Sequence, residues 1–177
     1  MILDKMKILI TGALGQLGRA FIKEIQKDEV ELIRTSAGVD GFGEGAIELD
    51  ITSLDNVMEI TKSTNPDVIV NCAAYTAVDQ QEKDVDLSYK INAIGPRNLA
   101  IAAQELSAKL VHVSTDYVFN GRGTRPYTEF DKPDPVSVYG RTKLAGEEFV
   151  KQFSSRSFIL RTAWLYGEGR NFLKNHA

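Results

Sequence analysis

Short apolar runs alternate with longer stretches of helical spacing along the whole chain, the pattern of a parallel sheet covered by helices. The run Lys7–Thr11 is continuously apolar inside rather than alternating, which predicts a strand buried on both faces. Over Gly15–Lys27, Leu17, Phe21 and Ile25 recur every four residues and form one stripe of an amphipathic helix. Val30–Arg34 predicts the second strand, Ala37–Gly45 with its four glycines a loop, and Ala46–Leu49 a short third strand. Ser53–Lys62 predicts a helix, because Ser53 suits an N-cap, Asn56 stands where a capping box prefers Glu, and Pro66 bars continuation. Asp67–Cys72 is the fourth strand. From Asp79 to about Leu106 the spacing of Leu87, Ile91, Ile94 and Leu99 is helical, with Gly95-Pro96 expected to kink or divide the helix. Lys109–Ser114 is the fifth strand, and Gly121–Pro135, with three prolines and two glycines, a long loop of the kind that carries function. Ser137–Phe153 returns to helix and Phe158–Thr162 to a sixth strand. After Gly167 a loop and about one turn lead to Ala177, so the chain reads as stopped rather than finished.

Composition narrows the class without changing that picture. The 177 residues carry 21 Lys and Arg against 24 Asp and Glu, a formal net charge of -3 and a pI near 5.5, with 43% hydrophobic and 25% charged residues. Disordered and fibrous classes are excluded, and one α/β domain spanning 1–177 is expected, doubly wound with helices on both faces of the sheet. A domain of this size buries roughly 70% of its unfolded surface and needs no staple. A mildly acidic chain without a basic stripe argues against nucleic acid. No apolar run reaches the roughly 18 residues of a membrane span, and no cleavable leader precedes Lys7. The single Cys72 forbids an internal disulfide, and with only His112 and His176 beside it there is no Cys/His ligand cluster. A cytoplasmic location is expected. Cys72 and His112 read as core residues.

Three constellations carry chemistry. Gly12, Gly15 and Gly18 follow a strand and open a helix, the context in which a tight turn, a close backbone approach and a free helix N-terminus together hold a pyrophosphate. The spacing is GxxGxxG, one residue longer in its first gap than the GxGxxG pattern. At the end of the second strand stands Arg34-Thr35-Ser36 rather than an acidic residue, so Arg34 and Ser36 can hold a ribose 2′-phosphate and NADPH is favoured over NADH. The competing reading makes Arg34 an exposed charge at a strand end. Finally, Tyr139 and Lys143 lie four residues apart at a helix start and project from one face. A phenol needs a nearby cation to exchange protons at neutral pH, and Lys143 is placed to supply it. Ser114 and Thr115 leave a strand 24 residues earlier, where a hydroxyl can hold a carbonyl for hydride attack.

With these residues in view, the chain resembles the extended short-chain dehydrogenase/reductases, and among them the dTDP-4-dehydrorhamnose reductase family. The segments that carry the likeness are Gly12–Gly18 with Gln16, Asn71–Asp79, Ile91–Ala93, Ser114–Phe119, Tyr139–Lys143 and Arg161–Tyr166, which together span nearly the whole chain. The resemblance implies a Rossmann-like fold and reduction of the 4-keto group of dTDP-4-dehydro-L-rhamnose. In that reaction Tyr139 gives the proton, Lys143 tunes it and holds the nicotinamide ribose, and Thr115 completes the triad. It places Gly15, Gln16 and Leu17 under the pyrophosphate, Asp50 and Ile51 beside the adenine, and Ala73, Ala74, Tyr75 and Thr76 on the way to the nicotinamide. Asp116, Tyr117 and Trp164 would meet the dTDP-sugar. Read without the resemblance, Asp50 is a helix-approach residue and Trp164 a core aromatic. Asn92 is either a water-holding member of a proton relay or a support for the kink, and the structural role is preferred.

Two departures qualify the likeness. Ala20 occupies the position from which some members bind magnesium through a glutamate, so no metal is expected, and a homodimer is left open. The family also continues beyond Asn171 into a smaller substrate lobe that is largely absent here. A cofactor-binding regulatory module without catalysis, or a related nucleotide-sugar reductase or epimerase, are the competing readings.

Overall fold

The structure, a computed structural model, describes residues 5–25, 30–38 and 45–167. Six strands, β1 (Met6–Thr11), β2 (Val30–Ser36), β3 (Ala46–Glu48), β4 (Val68–Asn71), β5 (Lys109–Thr115) and β6 (Ser157–Thr162), form one sheet in the order β3-β2-β1-β4-β5-β6. Every pairing is parallel. The chain leaves β1 toward β2 and later returns to its other side as β4, so the crossover point lies between β1 and β4, where α/β sheets open their ligand crevice. The continuous apolar runs are explained by burial on both faces: Leu9 and Ile10, adjacent in β1 and pointing oppositely, are both fully buried.

Helices cover the two faces unequally. On one face Leu9, Ile33, Ile69 and Leu110 of the strands pack with Val57, Leu99 and Val150 from α2 (Leu54–Thr64), α5 (Gly95–Glu105) and α6 (Val138–Phe153). On the other, α1 (Gln16–Glu24) brings Phe21 and Ile22 against Ile8, Ile10 and Val70. Away from α1 that face is left uncovered by the described residues. Phe158 and Leu160 of β6, in register with Val111 and Val113, are 57% and 49% exposed. No helix among the described residues is long and apolar enough to cross a membrane.

Local expectations hold with adjustments. Ser53 caps α2 by accepting from the Asn56 amide at 3.3 Å, but the Asn56 side chain reaches back past it to the Asp50 N–H at 2.9 Å. The helix runs on to Thr64 and stops at Asn65, which adopts the left-handed conformation before Pro66. α1 ends at Glu24, with Ile25 already extended. The expected continuation through Lys27, the loop residues 39–44 and the turn after Gly167 lie outside the described residues.

The one substantive correction concerns the long central helix. It breaks before the proline, into α3 (Val78–Gln81) and α4 (Val85–Tyr89), and then passes through a π-turn at Lys90–Ile94 into α5. Gly95 N–H donates five residues back to the Lys90 carbonyl, and Pro96 stands in the first turn of the next helix. Pro96 also has no N–H for the Asn92 carbonyl, and α6 takes up that space: a Cβ on Gly146 would sit 2.3 Å from the Asn92 oxygen. Gly146→Ala is therefore expected to lower the urea-unfolding free energy by about 1–3 kcal/mol. Gly38→Ala, with nothing within 4 Å, should change it by no more than about 0.5 kcal/mol.

Candidate active site

The turn after β1 is built from backbone that approaches backbone. Gly12 has φ 64°, and a Cβ there would stand 2.8 Å from the Ala73 backbone; at Gly18 it would stand 2.3 Å from the Gly12 oxygen and 2.8 Å from Ala13 Cα. Gly15 is the N-cap of α1, and neither a capping side chain nor an acidic residue occupies the first turn. The positive end of α1 is thus turned into the crevice without a side-chain acceptor of its own. The Ala13 amide ties the turn to β2 through the Thr35 carbonyl at 3.0 Å.

Directly beneath the turn a row of buried polar side chains crosses the sheet. Thr11 donates to Asn71 Oδ1 at 2.6 Å, and Asn71 Nδ2 donates to His112 Nδ1 at 3.0 Å. An amide donor at Nδ1 places the ring proton on Nε2, which has no partner among the described residues. Burial, followed by the nearby Lys143 charge, drives the His112 pKa well below its ordinary value, so the ring is neutral. His112 is a core histidine as expected, but only half satisfied.

A cleft of about 750 Å³ opens above this row at the carboxyl ends of β1, β4, β5 and β6. Of the sequence-predicted residues, Gly15, Gln16, Leu17, Ala74, Thr76, Thr115, Asp116, Tyr117, Tyr139, Lys143 and Trp164 line it. Gly12, Gly18 and Ala73 make the wall behind them through the contacts given above. Arg34 and Ser36 stand at the end of β2, beside the glycine turn but outside the cleft lining. Three more of the expected residues are not among those that line this cleft. Tyr75 does not line the cleft, because its hydroxyl donates to Asp84 at 3.0 Å and its backbone N–H and C=O are both taken by the Asn92 amide. Ile51 buries its side chain against Gly95, and Asp50 closes a turn by accepting from the Thr52 N–H and hydroxyl. Cys72 borders the cleft as well as the core, with burial pushing its thiol up to about 11.

Asn92 ties neighbouring segments together through its side chain. Its amide also donates to Gln81 at 3.1 Å and Thr142 at 3.2 Å, joining α3, the π-turn and α6. Trp164 is no core aromatic: it is 59% exposed at the cleft wall with a left-handed backbone, φ 54°.

The Ser137 hydroxyl caps α6, accepting from Gly140 at 3.0 Å, so that Tyr139 and Lys143 occupy the first two turns facing β5. The Tyr139 phenol stands above its ordinary value rather than below. Burial raises it most, a hydrogen bond with the Thr115 hydroxyl opposes, and Asp116 and Tyr117 add to the rise. Thr115 also donates to Asp116 at 3.2 Å, so its one proton is shared between a carboxylate and the phenol. Lys143 Nζ donates to the Val113 carbonyl at 2.7 Å. Burial lowers the ammonium from 10.5 to about 8, with Glu147 and Cys72 acting the other way.

Two residues escaped the sequence reading. Glu147 is fully buried, and Arg161 binds it through Nε at 2.9 Å and Nη2 at 2.6 Å. A signal was present: Glu147 lies one helical turn beyond Lys143, and an arginine inside an apolar strand run needs a buried partner.

The Lys143 shift fixes a pH dependence. Between about 8, where the folded group releases its proton, and 10.5, the unfolded chain holds a proton that the folded one lacks, so stability rises with pH. Cys72, raised from 9.0 to about 11, works in the opposite direction from about pH 9, and Tyr139 does so above 10. Urea midpoints should therefore climb between pH 8 and 9 in the wild type and level off toward 10, while those of Lys143→Met stay nearly flat to about 9 and then fall.

Comparison with known proteins completes the description. The family described as RmlD substrate binding domain matches residues 6–176. A dTDP-4-dehydrorhamnose reductase of Aggregatibacter actinomycetemcomitans is 43% identical over 169 residues, 95% of this chain and 55% of its own. The spore coat polysaccharide biosynthesis protein SpsK of Bacillus subtilis is 40% identical over 95% of this chain and 56% of its own. The crystal structure of dTDP-4-dehydrorhamnose reductase from Bacillus anthracis in complex with NADP superposes with a TM-score of 0.87 at 44% identity, covering 97% of this chain and 58% of that one. The chain spans about half the length of the curated relatives it matches. With a match running through β1 to β6 and a relative of known structure superposing over nearly every residue, the chain belongs to the RmlD substrate binding domain family.

Proposed function

We propose that residues 1–177 form the cofactor-binding and catalytic half of an NADPH-dependent reductase that converts dTDP-4-dehydro-L-rhamnose to dTDP-L-rhamnose in the cytoplasm. The observation that carries this reading is the convergence of Thr115, Tyr139 and Lys143 on one wall of a single cleft, opposite the uncapped N-terminus of α1. The cradle suits a dinucleotide. Its glycines admit no Cβ against the backbone, and its helix end offers positive charge to a pyrophosphate. Arg34 and Ser36, one strand over, are in the direction where a ribose 2′-phosphate would lie, which favours NADPH while leaving NADH usable.

When bound, the nicotinamide supplies the hydride. This chain's own groups do the rest. Thr115 turns its one hydroxyl proton from Asp116 and Tyr139 to the carbonyl oxygen, holding the keto group beside the phenol. Tyr139, protonated throughout the neutral range because its pKa stands above 10, holds the proton that the nascent alkoxide needs. Lys143, with a pKa of about 8, is charged at neutral pH and steadies the phenolate left behind once Nζ turns from Val113 toward it. Asp116, Tyr117 and Trp164 border the space beyond the triad, where the sugar nucleotide would sit.

A non-catalytic cofactor-binding module is the competing reading. Titration of the chain with NADPH and NADH, followed by NADPH oxidation on adding dTDP-4-dehydrorhamnose, separates the two: turnover supports the reductase, and binding without turnover supports the module. In a turning-over protein, Tyr139→Phe should lower kcat by about 10²–10⁴-fold while the NADPH Kd stays within about twofold. Unchanged turnover would remove Tyr139 from the mechanism.

A further inference from the structure

We infer that the buried Glu147–Arg161 pair is the positioning device of this site, holding the strand of Thr115 and the helix of Tyr139 and Lys143 at a fixed spacing and passing the same restraint to loop 121–135. The inference rests on the triad reading above. Glu147, Lys143 and Tyr139 follow one another at four-residue steps on one face of α6. Both Glu147 oxygens are engaged: Oε1 accepts from Ser114 Oγ at 2.6 Å and Arg161 Nε at 2.9 Å, and Oε2 from Arg161 Nη2 at 2.6 Å. Ser114 immediately precedes Thr115, and Arg161 is its register partner on β6. One carboxylate therefore joins α6, β5 and β6 at the level of the reacting groups.

A buried ion pair is a poor means of gaining stability, since an apolar replacement of equal volume does as well. What it provides is geometry, because a planar fork on a carboxylate admits one arrangement. The other side of the Arg161 guanidinium lies 5.0 Å over the Phe119 ring. Phe119 stacks on Tyr127 at 4.2 Å with 1° between the planes, and the Tyr127 hydroxyl accepts from Gly123 N–H at 3.0 Å within the loop. The restraint thus runs from α6 through a guanidinium and two rings into the segment 121–135. Lys143 is the further cation that Glu147 serves, with Cys72 of the β4 end and His112 of β5 as the other titratable groups near it.

The test uses the 177-residue chain with ¹⁵Nζ-lysine and ¹³Cζ-tyrosine labels, read by NMR, with Lys143, Tyr139 and Tyr127 assigned through Lys143→Met, Tyr139→Phe and Tyr127→Phe. In Glu147→Gln, Lys143 is expected to titrate below the wild-type value of about 8, and the Tyr139 and Tyr127 resonances to move. Arg161→Lys keeps the charge but loses the fork and the stacking face, and should move Tyr139 and Tyr127. Ser114→Ala leaves the ion pair whole and should move Tyr139 alone, which keeps the inference testable if Glu147→Gln fails to fold. Folded variants with unchanged Lys143 midpoint and unchanged tyrosine resonances would overturn it. Where the wild-type chain turns over the keto sugar, Arg161→Lys is expected to lower kcat by up to ~10²-fold with little change in NADPH Kd. Absence of turnover in the wild type would count against the reductase reading and leave the NMR outcome to decide the positioning role.

Discussion

Between Gly12 and Gly18 the backbone passes itself so closely that no side chain fits, and this contact sets the direction in which α1 leaves the sheet. Were either residue to carry a Cβ, the helix would have to tilt or the turn to open, and the N-terminus of α1 would no longer face the gap between β1 and β4. The crossover order of the strands creates that gap, but an empty crevice in a parallel sheet is only a shape. The glycine turn gives it an electrical sense, with the positive end of a helix on one side and, on the other, the hydroxyl, phenol and ammonium delivered by β5 and α6.

Once the crevice is placed, the difficulty is to keep polar groups in order beneath it without water. Two buried layers accomplish this. The lower one, Thr11, Asn71 and His112, runs from strand to strand by neutral hydrogen bonds and keeps its histidine uncharged. The upper one is ionic and holds Glu147, Arg161 and Ser114 under the triad. Lys143 stands between the layers, which is why the same ammonium both lowers the His112 pKa and is itself partly sustained by Glu147. Charge beneath the cleft is distributed vertically, neutral below and paired above.

Much of this was legible in the residues because the governing signals are local. A continuous apolar run marks a doubly buried strand, three glycines between a strand and a helix mark a phosphate turn, and Ser53 and Ser137 mark helix starts; all six strands and the cleft-facing triad follow from such cues. What escaped depended on partners distant in sequence. The proline at 96 reads as a kink, but whether a helix bends or widens into a π-turn depends on what packs against the freed carbonyl, and Gly146 lies 50 residues from Pro96. That Lys143 also donates to the Val113 carbonyl, 30 residues back in the chain, is not written in the YxxxK spacing. Tyr75 reads as a cleft residue until Asp84 and Asn92 are found on it. Local spacing states which groups share a face, and long-range pairing decides which of them are already committed.

The unequal cover of the sheet has a bearing on how this protein moves. Among the described residues, β1 and β4 are sandwiched between α1 on one side and α5 on the other, whereas β6 has one neighbouring strand and leaves Phe158 and Leu160 open to water. Local opening costs least where little apolar surface is lost and the backbone is wet. In the 177-residue chain, amide hydrogens of β6 should thus exchange with solvent deuterium sooner than those of β1 and β4. Arg161 stands on that less covered strand and is tied to the covered interior by Glu147.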